Sequence, residues 1–394
     1  MMTPKIRHMW ECPRPDPHRK GAGFPVLENA RHSLIFAGER EAGAYNHHSQ
    51  LTWHGGQFHA IWSNHPHGED GPGQRVRCAT STSGEDWTSA RILFPAPDTI
   101  RPSEEMGLAL TAFCWVNIGD RLFAVVGCHA NIGFCDFDRT SFSAVRDADH
   151  PCRARKGYSP LTREILPDGD AGPVFAIWED VPQDIDFGVL SPGNPDIAAE
   201  VRGLRAVLTS PLGMCAWDFR GDLSFPEAAD GHRLCEPTVH RAPDGRYVML
   251  LRDTAYSHRM YVSFSETGED WSAGVPTDIP DSPSLSDTVM LDDGKVLLVG
   301  NQMAPAFDNP DEIKHYARDP LTVAVSPDGY TFTRVYALRC GQQQYRVPQS
   351  EIHGRGGGAQ YPCAITHEDN LYVQYSMGKE DICVSWVPLG DILD

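Results

Sequence analysis

Two adjacent histidines, His47 and His48, stand in the segment YNHHSQ, directly before a strand-like apolar run. Histidine titrates nearest to neutral pH, so it suits proton transfer in catalysis. Successive side chains of a strand point to opposite faces. We therefore expect one histidine of this pair to have a chemical role, and at most one of them to face a given pocket.

A second stretch with chemical potential is HGRGGGAQYP, which supplies Arg355, Gln360 and Tyr361. Three consecutive glycines between an arginine and a Gln-Tyr pair indicate backbone that passes close to another group, because glycine costs conformational entropy. That group is either a ligand or a tightly packed neighbouring strand, and both explanations stay open.

An internal repeat defines the elements that must position these residues. Each unit is an apolar strand, a two-residue turn with glycine, a second apolar strand, a polar segment and a third strand. Units begin at SQLTWHGGQ, LTAFCWVNIGD, PTVHRAPDG, DTVMLDDG and ITHEDN, and residues from about 153 to 220 carry weaker copies. At roughly 50 residues per unit, the length predicts an all-β, seven-bladed β-propeller of four-stranded antiparallel blades. Residues 1–394 would form this single domain.

Three units end in the pattern S-x-x-G-x-x-[WF], at residues 81–87, 265–271 and 326–332. This pattern resembles the Asp-box turn of sialidase-like propellers, although only Asp328 keeps the acidic residue and Ser83 and Thr267 replace it. The resemblance implies a turn between the last two strands of a blade, with its aromatic side chain packed inward. Such a turn identifies a fold and gives no information on catalysis.

Polar side chains follow the second strand of five units, and equivalent positions of successive blades meet at one end of a propeller axis. We expect these side chains to line a site, although solvated loops would have similar composition. The candidates at these positions are Asn64, His129, Arg252, Asn301, Gln302 and Lys379. The loop NHPHGEDGPGQRV adds Arg75.

The composition excludes several classes of function. The net charge is −19 and the chain has no basic block, so we expect no nucleic-acid partner and no anionic membrane surface as partner. The N-terminal segment has no apolar core of a signal peptide, and no apolar stretch approaches about 18 residues. These features predict a cytoplasmic location.

The segments YNHHSQL, FHAIWSN and GEDGPGQRV, with GRGGGAQYP and YSMGKEDICVS, resemble bacterial and fungal propellers labelled BNR or sialidase-like. These include enzymes that cleave L-rhamnosyl-α-1,4-D-glucuronate linkages, as rhamnosidases or as lyases, and more distantly ulvan lyases. The resemblance covers most of the chain and implies an acidic oligosaccharide as substrate. In the rhamnosidases it implies one catalytic histidine, which is His48 here. We place His47 among the substrate-binding residues, and we expect a monomer or a homodimer.

Elimination at a uronate needs a group that neutralises the C5 carboxylate, a base for the C5 proton and an acid for the leaving oxygen. We assign His48 as base or acid/base, and Tyr361 or His129 as the second proton-transfer group. Arginine binds carboxylates in a bidentate manner, and the candidates are Arg75, Arg252 and Arg355. Hydrolysis by a single histidine would use the same residues, so the sequence does not separate elimination from hydrolysis.

Three other interpretations stay open. A sialidase would need an arginine triad, a tyrosine backed by a glutamate, and an Arg-Ile-Pro segment before the first Asp box, but the similar segments IRP and YRVP come after it. A five-bladed glycosidase would need paired acids, for which Asp253 or Glu236 with Asp70 or Glu69 are available without a clear pairing. A non-catalytic glycan-binding propeller would keep the arginines and aromatic residues.

No cofactor is expected to be required. A propeller axis can hold calcium through carbonyl and carboxylate oxygens, so a structural calcium ion stays an open alternative. The sequence shows no contiguous ligand motif and no CxxC pair, and no metal ligand is assigned.

Overall fold

The computed structural model describes the first and last thirds of the chain most fully. The described residues are 5–69, 71, 73–94, 106–118, 121–132, 166–167, 173–174, 228–232, 234–267, 271–304, 318–354 and 356–393. The weaker repeat copies at about 153–220 therefore lie almost wholly outside the described residues.

Apolar runs separated by glycine turns form twenty described strands. The first seven are β1 (Arg31–Phe36), β2 (Tyr45–His54), β3 (Gln57–His65), β4 (Arg75–Ser81), β5 (Arg91–Phe94), β6 (Met106–Ile118) and β7 (Arg121–Ile132). The next six are β8 (Leu166–Pro167), β9 (Pro173–Val174), β10 (Leu234–Arg241), β11 (Tyr247–Asp253), β12 (Arg259–Ser265) and β13 (Val275–Pro280). The last seven are β14 (Asp287–Met290), β15 (Val296–Gly300), β16 (Leu321–Ser326), β17 (Arg334–Arg339), β18 (Ala359–His367), β19 (Asn370–Met377) and β20 (Asp381–Pro388).

Helical structure among the described residues is confined to short segments. The 3-10 turns span Lys20–Gly23 and Gln349–Glu351, and the α-helix α1 spans Gly390–Leu393. No helix in the described ranges is both long enough and apolar enough to cross a membrane.

The strands form four antiparallel sheets of four strands each in the described part of the chain, and this confirms the predicted all-β class and blade pattern. Three sheets follow the chain, as β2 to β5, β10 to β13 and β14 to β17. The fourth contains β18, β19 and β20, and β1 from the N-terminal side completes it at the outer edge. The pairs β6–β7 and β8–β9 are described as two-stranded sheets, so the count of seven blades stays a prediction.

The first strand of each sheet lies innermost. Strand β2 contacts both β18 and β6, and β14 contacts both β10 and β18. Apolar clusters fill the spaces between neighbouring sheets, as a propeller requires. Between the last sheet and the sheet of β2 to β5, for example, Phe58 and Trp62 pack with Ile382 and Val384. The first residues of consecutive inner strands therefore lie around one shared region.

The Asp-box-like motifs occupy the positions that the resemblance implies. The segment 81–87 connects β4 with β5, and the Ser81 hydroxyl accepts a hydrogen bond from the backbone N–H of Gly84 at 2.8 Å. In the third copy, Asp328 accepts hydrogen bonds from the backbone of Tyr330 and Thr331, and Phe332 is fully buried. These motifs act as turns that anchor the blades.

Candidate active site

Three inner strands carry the same irregularity at the same point. In β2, β10 and β18, two residues face a single residue of the partner strand, which is a β-bulge. The first bulged residue is His48, Glu236 and Tyr361 respectively, with positive φ angles of 52°, 46° and 53°. This backbone conformation costs about 1–3 kcal/mol per residue and persists where the surrounding structure enforces it. Bulges re-aim side chains beside active sites, so we take this point of the axis as the candidate site.

Both histidines of YNHHSQ face this site. The ring centroids of His47 and His48 lie 4.6 Å apart, and those of His47 and Tyr361 lie 4.1 Å apart. The prediction that at most one of the pair faces a given pocket is therefore wrong. It assumed a regular strand, whereas the bulge at His48 turns the backbone so that adjacent side chains point the same way.

Tyr361, Glu236 and Arg252 form one buried group. The phenol of Tyr361 donates a very short hydrogen bond to Oε1 of Glu236. Nη1 of Arg252 donates to Oε2 of Glu236 at 2.7 Å and to the Tyr361 oxygen at 3.1 Å. Burial, followed by the Glu236 carboxylate, raises the pKa of Tyr361 well above its ordinary value. The tyrosine is therefore a neutral phenol that holds its proton against a carboxylate.

Arg318 covers the ring of Tyr361, with its guanidinium carbon 5.2 Å from the ring centroid. Its Nη1 donates to Oε1 of Gln360, and its Nη2 donates to the carbonyl of Pro283 at 3.2 Å. A Cβ on Gly358 would lie 2.0 Å from the Arg318 carbonyl oxygen. Of the two explanations for the glycine run, tight packing therefore holds at Gly358.

Glu69 lies on the other side of the histidines. Its Oε2 accepts a hydrogen bond from Nζ of Lys379 at 2.6 Å, and its Oε1 lies 4.0 and 3.9 Å from Nε2 of His47 and His48. Burial alone would raise the pKa of Glu69, but the charges of Lys379 and His48, with hydrogen bonds, outweigh it and lower the pKa to about 2. The loop of Glu69 is fixed by backbone hydrogen bonds to His353.

Asp281 is a third buried carboxyl group near the two arginines. Burial is the main cause that raises its pKa to about 8, against the lowering effect of Arg252 and with a smaller raising effect from Glu236. Its Oδ1 makes no hydrogen bond within the described part of the chain. Asp281 is therefore largely protonated at neutral pH.

Two predicted residues, Asn64 and Arg75, lie in a separate network of the sheet of β2 to β5. Nε of Arg75 donates to Oδ1 of Asn64 at 2.7 Å, and its Nη2 donates to the carbonyl of Ala42 at 3.2 Å. Nδ2 of Asn64 donates to Oδ1 of Asn46 at 2.8 Å. None of these bonds reaches Tyr361 or Glu236.

Asn301 and Gln302 also bond to the fold around them. Nδ2 of Asn301 donates to the carbonyls of Pro320 and Ala359, at 3.0 and 2.9 Å. Oε1 of Gln302 accepts a hydrogen bond from the Thr322 hydroxyl at 2.5 Å. The side chain of His129 and all of Arg355 lie outside the described residues.

Of the predicted residues, the structure brings His47, His48, Arg252, Gln360, Tyr361 and Lys379 together. The sequence interpretation missed Arg318 and Asp281, which lie outside the strands of the repeat, and it considered Glu236 and Glu69 only as unpaired acids. One signal was available: His48, Glu236 and Tyr361 each stand three residues before the corresponding apolar position, Leu51, Val239 and Ala364. Aligning the starts of the first strands would have grouped them.

Two family models match separate parts of the sequence. Residues 204–373 match a BNR repeat-like domain, and residues 26–184 match a BT_1020-like, N-terminal beta propeller. Each match covers less than half of the chain. A comparison with curated proteins gave no match.

Solved sialidases share the fold. One structure titled "Sialidase" matches with 20% identity and a TM-score of 0.62, over 97% of this chain and 35% of the other. A Trypanosoma rangeli sialidase in complex with the inhibitor DANA matches with 10% identity and a TM-score of 0.53, over 93% of this chain and 61% of the other. The fold is that of a sialidase-like β-propeller. The chain spans about a third of the length of the first of these sialidases, and at these identities the likeness shows the fold alone.

The site of this propeller contains buried side chains of both charge signs. Its cations are Arg252, Arg318 and Lys379, and its acidic residues are Glu69, Glu236, Asp253 and Asp281. His48, Tyr361, Arg252, Glu236 and Lys379 each keep a small exposed fraction, so they can contact a ligand.

Proposed function

We propose that the protein is a glycoside hydrolase that cleaves a glycosidic bond beside a carboxylate-bearing sugar, with Tyr361 as the nucleophile. One observation carries the proposal: the Tyr361 phenol donates its proton towards Glu236 while Arg252 bonds to both groups. This pair meets the requirement of a tyrosine backed by a glutamate, and a tyrosine nucleophile is the known variant of sialidases among glycosidases.

In the first step, the Tyr361 oxygen attacks the anomeric carbon, and its proton passes to Oε1 of Glu236. The bond from the anomeric carbon to the leaving oxygen breaks, and that oxygen takes a proton from Nε2 of His48. Arg252 stabilises the charge that develops on the tyrosine oxygen, because it already bonds to that atom. Water then attacks the glycosyl-tyrosine, with His48 accepting its proton and Glu236 returning one to Tyr361.

Glu69 supports the role assigned to His48. Its ionised carboxylate lies 3.9 Å from Nε2 of His48, while Nδ1 of His48 hydrogen-bonds with the Ser63 hydroxyl at 3.2 Å. A negative charge at this distance favours the protonated imidazole that an acid needs. Arg252 and Lys379 each keep a small exposed fraction, so these cations support an acidic sugar in the substrate.

Elimination is a second candidate, because the rings of His48 and Tyr361 lie 5.7 Å apart and flank one region. There His48 would remove the C5 proton of a uronate, Tyr361 would protonate the leaving oxygen, and Arg252 with Arg318 would neutralise the carboxylate. L-rhamnosyl-α-1,4-D-glucuronate oligosaccharides suit both reactions and are the first substrates to test.

The test incubates the protein with these oligosaccharides and, separately, with sialyllactose, and measures both free sugar and the ultraviolet absorbance of a 4,5-unsaturated uronate. The proposal predicts free sugar without absorbance, and loss of release in Tyr361→Phe. Absorbance that rises with cleavage would replace hydrolysis by elimination. Binding of the oligosaccharides without either product would contradict an enzyme and indicate a glycan-binding propeller.

A further inference from the structure

The donor atoms of His47, His48 and Glu69 converge on one point. Nε2 of His47 and Nε2 of His48 lie 4.0 and 3.9 Å from Oε1 of Glu69, and the three donor atoms all lie within 4.8 Å of one another. The Nε2–Oε1 distances are too long for direct hydrogen bonds. Two imidazoles and one carboxylate are a common ligand set for zinc.

The backbone is shaped to produce this convergence. Adjacent residues of a regular strand cannot direct their side chains to one point, because they face opposite sides. The bulge after His47 and the positive φ of His48 remove this limit. Proton transfer by His48 alone would not require the buried ring of His47 to lie on the same side of the strand as the ring of His48.

Each of the three side chains is also held by an outer hydrogen bond at its far atom. Nδ1 of His47 bonds with the Ser376 hydroxyl at 2.7 Å, and Nδ1 of His48 bonds with the Ser63 hydroxyl at 3.2 Å. Oε2 of Glu69 accepts a hydrogen bond from Lys379 at 2.6 Å. Metal-ligating histidines and carboxylates characteristically carry such outer partners, which fix the ring orientation and present the near atom to the ion.

We propose that His47, His48 and Glu69 form a binding site for a divalent transition-metal ion of the zinc class. Zinc-to-ligand bonds of about 2.0–2.2 Å place tetrahedral ligand atoms roughly 3.3–3.6 Å apart. The two His–Glu distances must therefore shorten by about half an ångström, and the two histidine nitrogens, which lie within 4.8 Å of each other, must approach by at most about 1.5 Å. The donor set differs from the all-oxygen shell of six to eight ligands that calcium takes, so this is not the structural calcium site that the sequence left open. Lys379 donates to the far carboxylate oxygen of Glu69, and an anion or water would complete the coordination.

A regulatory consequence follows, and this part rests on the proposed function. A metal on Nε2 of His48 occupies the atom that would protonate the leaving oxygen. Bound zinc would therefore inhibit glycoside cleavage, and removal of zinc by a chelator would restore it. Metal binding itself does not depend on the reaction.

The experiment titrates the full chain, first stripped by a chelator, with zinc sulfate in a calorimeter and measures bound zinc after dialysis. We expect one ion per chain at this site, affinity lowered by about 10- to 100-fold in the outer-partner variant S376A, and a larger loss of affinity in the ligand variants H48Q and E69Q. The control is H8N, because His8 pairs with Asp278 at the surface, and it should bind like the wild type. Circular dichroism checks that each variant is folded. If E69Q does not fold, the zinc affinity of H48Q tests the site.

Absence of zinc uptake, or uptake that is unchanged in H48Q and S376A, would overturn the inference. The same preparations are assayed for oligosaccharide cleavage with and without zinc. Zinc binding without any cleavage would leave the site standing and refute the proposed function. A protein that binds no zinc and cleaves the oligosaccharides equally well with and without it would refute the metal site. It would leave the proposed function standing.

Discussion

The phenol of Tyr361 donates a hydrogen bond to the carboxylate of Glu236, which lies 125 residues earlier in the chain. The two residues occupy the same bulge position of two different inner strands, β18 and β10. Arg252, at the end of β11, bonds to both. The propeller symmetry therefore brings together a phenol, a carboxylate and a cation that no local segment contains.

Tyr361→Phe removes the oxygen that we propose as the nucleophile and should lower the cleavage rate by about 10²–10⁴-fold or more, with little change in fold. Glu236→Gln should act in the same direction, because the proton of the tyrosine loses its acceptor. Initial rates of sugar release measure both. Tyr330→Phe is the matched control, since Tyr330 bonds to the carboxylate of Asp244 at the surface. Equal losses in the Tyr330 and Tyr361 variants would contradict a specific role for Tyr361.

Arg252→Met should destabilise the fold by about 3–5 kcal/mol, because it leaves the buried carboxylate of Glu236 without its cation. The double variant Arg252→Met with Glu236→Leu should lose less than the sum of the single variants. Urea unfolding measures each free energy. The exposed pair Arg246 and Glu266 is the control, and its removal should cost less than about 1 kcal/mol. Additive losses at Arg252 and Glu236 would show that the two are not coupled.

Asp281→Asn should flatten the dependence of stability on pH. The folded-state pKa of Asp281 is raised from its ordinary 3.8 to about 8, so between these values the folded protein holds a proton that the unfolded chain releases. Wild-type stability should therefore fall as pH rises through this window, by at most about 1.4 kcal/mol per pH unit from this group. Melting temperatures of both proteins from pH 5 to pH 8 provide the measurement. Parallel curves would mean that Asp281 is ionised in the folded protein.

Gly358→Ala should destabilise the fold and displace Arg318. A Cβ at this position would lie 2.0 Å from the Arg318 carbonyl oxygen, and Gly358 has a φ of 84°. Overpacking of this kind costs about 1–3 kcal/mol beyond the cost of the positive φ. Gly56→Ala is the control, because Gly56 has a φ of 82° and nothing within 4 Å of the added atom. Similar unfolding free energies for the two variants would exclude the close contact as the reason for the glycine.

The sheets were predictable from the sequence because hairpin glycines and apolar runs are local signals that recur with the blade. His48, Tyr361 and Arg252 were also predictable as candidates from residue type and from position relative to the strands. The bulges were not, since register slips depend on packing between blades. For the same reason the periodicity of a regular strand gave the wrong orientation for His47.

Arg318 and Asp281 lie between strands, where no repeat position marks them. The place of Arg318 over the Tyr361 ring, and of Asp281 near Arg252 and Arg318, depends on how separate loops pack, as the contact between Gly358 and the Arg318 backbone illustrates. The predicted roles of His129 and Arg355 stay predictions, since the His129 side chain and Arg355 lie outside the described residues.

The most direct test of Tyr361 as the nucleophile is proton NMR of the first sugar anomer released from a cleaved acidic oligosaccharide. Attack by Tyr361 followed by attack of water gives two inversions, so the released sugar should first appear with the anomeric configuration of the substrate. Release of the opposite anomer would mean that water attacks directly, and an unsaturated uronate in place of a hydrated sugar would mean elimination. Either result would contradict the account.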